Sequence, residues 1–200
     1  MPGQSQRFFL PVTLLTIAIA LVTASAAAQT GTVDRAVAAI GAQYEEMAQR
    51  IRLSQTPEGY GVGIFRSELV VNKDGQPWRA VGIYRLAYNF WFEEIADPDR
   101  GFPKRLRQAT IATDVSSRHY VEEFFYDKAG ALIFHLYRRD DGDKPAEFRL
   151  YFDKNGPVRA VADGSARDRL TPDDGLAARR AVAKSEELKR LFALSLKEPD

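Results

Sequence analysis

Glu122 and His135 are the side chains whose types best suit proton transfer, a carboxylate and an imidazole on what read as neighbouring strands. Little else in the chain supports catalysis. It has two histidines, His119 and His135, and no cysteine. Neither histidine stands at metal-ligand spacing, and without thiolates a structural zinc site is excluded. Asp163-Gly164-Ser165-Ala166-Arg167 lacks the second glycine of a nucleophile elbow, and no glycine-rich phosphate loop is present. Asp140-Asp141-Gly142-Asp143 and Asn72-Lys73-Asp74-Gly75 touch the calcium-loop pattern, but neither supplies the full ligand series ending in a bidentate Glu. The expectation is no catalytic residue, no metal and no cofactor.

What remains is a surface. If Asp127–Gly130 is a four-residue hairpin turn, Tyr126 pairs with Ala131, Phe124 with Ile133, Glu122 with His135 and Tyr120 with Tyr137. Alternation then gives a core face with Val121, Phe125, Leu132, Phe134 and Leu136. The other face carries Tyr120, Glu122, Phe124, Tyr126, Ile133, His135 and Tyr137, extended on the next strand by Glu147, Arg149 and Tyr151. The candidate binding residues are Tyr120, Glu122, His135, Tyr137, Arg149 and Tyr151. Either this face is solvated and its aromatic and charged pairs serve strand pairing, or its rings, rigid and polar-tipped, contact a ligand or partner. A shift of one residue in the turn changes which side chains face each other.

These residues sit on a strand-rich middle, positions 59–163. A unit recurs there three times: ELVVNKDG (68–75), EFFYDKAG (123–130) and RLYFDKNG (149–156). In each, three apolar residues lead into Asn or Asp, Lys, any residue and Gly. The Asn/Asp can bond its own backbone and the Gly supplies positive φ, so each unit reads as strand, turn, strand. Strands are expected near 60–71, 77–92, 107–115, 118–127, 131–139, 146–153 and 157–162, with loops at 97–103 and 139–145. Before them, Val33, Val37, Ile40, Tyr44, Met47 and Ile51 form one apolar stripe at helical spacing, predicting a helix over 32–53. After them, Thr171-Pro172-Asp173-Asp174 suits a helix start, predicting a helix over 172–196 anchored by Leu176, Leu188, Leu191, Phe192 and Leu194. The class is α+β: a curved antiparallel meander of about seven strands packed against an N-terminal and a C-terminal helix.

The phrases YVEEFFYDKAGALIF (120–134) and EFRLYFDKNGPVR (147–159) resemble hairpins of uncharacterised exported bacterial proteins. Those proteins pair a "YYFDxxGxLIF"-like with a "RYYFDxGxLIR"-like hairpin between two helices. The resemblance implies a bacterial envelope protein and carries over no catalytic residue.

Residues 8–28 form an apolar or small-residue run without charge, preceded by Arg7 and ending in overlapping A-x-A sites. That is the anatomy of a signal peptide over 1–28, with cleavage after Ala26 or after Ala28 and Gln29 as the favoured mature start. An uncleaved anchor is the rival, since ~20 apolar residues suffice to span. The single domain then covers 29–200, is periplasmic or secreted, and has no membrane span after cleavage. Of 28 Lys+Arg and 27 Asp+Glu, only Arg7 leaves with the leader, so the remainder is balanced at 27 each. That excludes an electrostatic case for nucleic acid. The expected function is non-catalytic binding of a small hydrophobic ligand or an envelope protein. The alternatives are a structural or assembly factor acting through protein contacts and an enzyme of unrecognised type.

Overall fold

The computed structural model describes residues 13–59, 61–79, 82–96, 99, 103–141 and 145–197, with side chains from residue 31 onward. Most of the expected loop at 97–103 and the centre of the acidic loop lie outside the described residues. So do the side chains of the expected leader, Ala28 among them, and of Gln29.

Helix α1 (Thr13–Ser54) ends one residue beyond the expected 53 but begins at Thr13, within the stretch expected to be a leader, rather than at 32. Residues 13–30 contain neither Pro nor Gly, so nothing local breaks the helix there. A single 3-10 turn at Pro57–Gly59 follows. The strands are β1 (Phe65–Val71), β2 (Pro77–Trp78), β3 (Gly82–Glu94), β4 (Lys104–Val115), β5 (Arg118–Tyr126), β6 (Leu132–Asp140), β7 (Ala146–Asp153), β8 (Gly156–Ala162) and β9 (Ser165–Arg167), closed in sequence by α2 (Pro172–Ser195). They make one open antiparallel sheet in the order β1-β3-β4-β5-β6-β7-β8-β9, with β2 also on β3. Among the described residues nine strands stand where seven are expected, because the segment read as one strand at 77–92 is divided into β2 and β3, with Trp78 paired to Gly82, and because β9 adds a short edge. Among the described residues no helix is long and apolar enough to cross a membrane.

Each face of the sheet carries its own helix. The α1 stripe packs as expected, burying Ile40 and Met47 against Trp91, Phe125, Phe134 and Leu136. On the opposite face α2 lays Ala178, Ala181, Leu188 and Phe192 on a cluster that includes Phe90, Ile111, Phe124, Tyr126 and Leu150. The α2 contact stripe is Asp174, Ala178, Ala181, Ser185, Leu188 and Phe192. Its small residues let the helix approach the sheet closely. Leu176 and Leu194, expected as anchors, point off that stripe and are exposed. The helix start follows the expectation: the Thr171 hydroxyl accepts from Asp174 N–H, while the Asp174 carboxylate accepts from Thr171 N–H at 2.8 Å.

The repeated turns use the local chemistry read from sequence. Asp127 Oδ1 accepts from the N–H groups of Ala129 and Ala131 at 2.9 and 2.8 Å, Asp153 Oδ1 accepts from Asn155 N–H, and all three closing glycines have positive φ. Two of the three turns are hairpins. The first is not: β1 and β2 on its flanks both pair with β3 instead of each other. Gly130 has φ +81° and open space where a Cβ would sit, so Gly130→Val is expected to cost about 1–3 kcal/mol through backbone strain alone. Gly164, in the β8–β9 turn, has φ +83° and equally open space. The same backbone conformation holds there, and its valine variant should cost about as much. Denaturant midpoints of both variants against wild type decide; an unshifted midpoint for either removes the strain argument there.

Candidate functional site

Register separates the residues proposed as one surface. In the β5–β6 hairpin Tyr126 pairs with Leu132, Phe125 with Phe134, Phe124 with His135, Glu122 with Tyr137 and Tyr120 with Arg139, with a shift between Phe125 and Tyr126. The expected pairing is thus displaced, and the irregularity exchanges two residues: Leu132 joins the α2 side and Ile133 the α1 side. Glu122, His135, Tyr137 and Tyr120 share the α2 face. Arg149 and Tyr151 pair with Leu136 and Phe134 and lie on the α1 face. The supposed solvated face is also corrected: Phe124 and Tyr126 are fully buried beneath α2.

On the α2 face, Glu122 stays close to His135 although the two are not directly opposite. Its Oε2 lies 3.5 Å from His135 Nε2 and its Oε1 accepts from Lys184 Nζ of α2 at 2.6 Å. Burial would raise the Glu122 carboxyl, but the bonds from His135 and Lys184 outweigh it and hold the group below the ordinary carboxylate value. The His135 ring packs on Phe124 with centroids 4.7 Å apart. Its Nδ1 is buried without a hydrogen-bond partner among the described residues, and so is the Ser185 hydroxyl. The two therefore do not form a nucleophile–base pair. Tyr137 is half-buried, which pushes its hydroxyl pKa up. This arrangement ties α2 to the sheet by an ion-paired cluster. Among the described residues it offers no activated nucleophile.

On the α1 face the helix and sheet do not close completely. A cleft of about 370 Å³ lies between α1 and β6–β7, lined by Tyr44, Phe134, Leu136, Arg138, Arg149 and Tyr151 among others. Its rings interlock, Tyr44 on Phe134 and Phe134 on Tyr151, each pair with centroids 5.1 Å apart. Arg138 and Arg149 both bond Glu147, which holds their guanidinium groups at the mouth. The Tyr44 hydroxyl donates to Glu123, which also accepts from Gln108 at 3.0 Å.

A second cleft, about 450 Å³, opens farther along α1 over the ends of β3, β4 and β5. Three arginines meet Glu93 there. Arg50 donates to Oε1, while Arg105 and Arg107 donate to Oε2 at 3.2 and 3.0 Å. Glu93 and Arg107 are 8% and 5% exposed, so this is a buried charge cluster. The register irregularity between Trp91 and Phe92 sets Arg107 beside Glu93, which pairs with Arg105. Sequence reading missed these residues. The available signal was Arg105-x-Arg107 opposite Glu93-Glu94, but the extra residue that brings Arg107 round is invisible in an alternation pattern.

Among the described residues no group of three or more His, Asp and Glu side chains could hold a metal ion. No family model matches the chain. Nor does any curated protein or solved structure.

Proposed function

We propose that this chain is an exported, non-catalytic binding module whose ligand is a small hydrophobic molecule with a polar head. The observation that carries the reading is the cleft between α1 and β6–β7. Its volume of about 370 Å³ is in the size range of small-molecule sites, and it combines an aromatic floor with two arginines at the rim. Two of the residues singled out from sequence, Arg149 and Tyr151, line it. Export is supported by the A-x-A exit after the apolar run and by the resemblance to exported bacterial proteins. A protein partner is the second reading. It is favoured by Phe65 and Leu69, which are 45% and 41% exposed on β1, an end strand of the sheet.

Native mass spectrometry of the protein recovered from the periplasm of a producing bacterium reads both claims. The expected result is a chain starting at Gln29 that carries a dissociable small-molecule adduct. Once that adduct is identified, Tyr151→Ala should weaken its binding on the order of tenfold while the far-UV spectrum is unchanged. A bare chain with no adduct, or an adduct indifferent to Tyr151→Ala, removes the ligand reading. A retained protein subunit in its place supports the β1 surface.

A further inference from the structure

We propose that the second cleft, between α1 and the ends of β3, β4 and β5, is a binding site for a doubly charged oxyanion, a phosphate group. The argument is independent of the ligand assigned to the amphipathic cleft, because it rests on different residues and on charge.

Among the described residues that line the cleft, the cations are Arg50, Arg105, Arg107 and Lys128, and the acids are Glu46 and Glu93. Two positive charges are left over. Glu93 cannot absorb them, since its two oxygens already serve three guanidinium groups. Water reaches them only in part: the Arg50 and Arg105 side chains are 30% and 27% exposed, and Arg107, which Glu93 and the Tyr126 carbonyl hold, is 6% exposed. Uncompensated charge in such a place is costly, and a bound anion relieves the cost.

The donors are also fixed in direction. Arg105 donates through Nη1 to the Lys128 carbonyl and through Nη2 to Glu93, which pins its plane and leaves the second N–H of each Nη for an anion in the cleft. A guanidinium held this way is a preorganised fork of the kind that grips phosphate or carboxylate. The charge count chooses between them. A carboxylate cancels one of the two surplus charges, and a phosphate dianion cancels both. Lys128 completes the rim. It is the lysine of the Asp127–Gly130 turn and is exposed at the mouth, so it can close on a bound anion as a point charge.

The test is isothermal titration of the folded protein with inorganic phosphate at fixed ionic strength, with acetate as the monoanion control. The expected result is saturable phosphate binding, weakened about tenfold in Arg105→Gln and by a smaller factor in Lys128→Gln, with acetate binding much more weakly. Lys128→Gln changes only an exposed turn residue, so it reports on the site even if Arg105→Gln fails to fold. A parallel arm uses phosphatidylcholine vesicles containing phosphatidic acid. Arginine-dependent binding to the vesicles alone assigns the phosphate to a lipid headgroup, and binding of the free ion assigns a small molecule. No saturable binding in either arm, equal affinity for phosphate and acetate, or affinities unchanged in both variants would overturn the proposal.

Discussion

Glu93→Ala is expected to lose about 3–5 kcal/mol of folding stability, the usual result of removing one partner from a buried ion pair. Arg107 is almost fully buried, and its guanidinium meets Glu93 at 3.0 Å. Without the carboxylate, three cations face each other across a cleft with no acid at the centre. The wild-type group should also make stability pH-dependent. Burial pushes the Glu93 carboxyl up, but hydrogen bonds from Arg50 and Arg107 outweigh this, and it titrates below the ordinary carboxylate value. A depressed folded-state pKa contributes stability above the unfolded-state value, which is about 4.3, and that stability is lost as pH falls through the folded-state value. Glu93→Gln should therefore be destabilised most at neutral pH, and its deficit should shrink in acid. Urea melts of wild type and both variants at about pH 7 and about pH 3 measure this. A deficit that stays constant with pH would show that Glu93 acts by packing and not by charge.

Phe124→Ala should cost a similar amount, about 3–5 kcal/mol, as for other buried aromatic truncations. Phe124 is fully buried in the α2 cluster and packs at a tilt against His135 across the β5–β6 hairpin. Were its face solvated, the same substitution would cost little. Leu194→Ala is the control: Leu194 is 60% exposed although it reads as a helix anchor, and its loss should change stability by under about 0.5 kcal/mol. Denaturant midpoints of the two variants thus decide which side chains hold α2 to the sheet. Equal costs would mean that the buried stripe of α2 is not what holds it there.

The contrast between these two sites shows where sequence reading stops. Within one element, or across one tight turn, the determinants are local. The α1 stripe from Val33 to Ile51, the Thr171–Asp174 cap and the Asx bonds of Asp127 and Asp153 each involve residues a few positions apart, and each was legible. The α+β class followed from the order of those elements. The run Phe124-Phe125-Tyr126 marks the limit. All three are fully buried, since a sheet covered on both faces buries both sets of alternating side chains. Apolar alternation then no longer tells the faces apart.

Register was decided elsewhere as well. The irregularities at Phe125/Tyr126 and Trp91/Phe92 each add a residue to one strand, and in a structure with a period of two an added residue moves its successors to the other face. That is why Leu132 and Ile133 exchanged sides and why Arg107 turned toward Glu93. Which helix covers which face is equally non-local. It brings Arg50 of α1 to Glu93 of β3, and Lys184 of α2 to Glu122 of β5, 62 positions away in the chain. The amino-acid sequence by itself determined the α+β class, most of the elements, the α2 cap and the local bonds of the turns, because those interactions span a single turn of chain. The tertiary structure alone decided the pairing register, the two covered faces and the two clefts beneath α1, because those depend on packing between segments that share no local sequence signal.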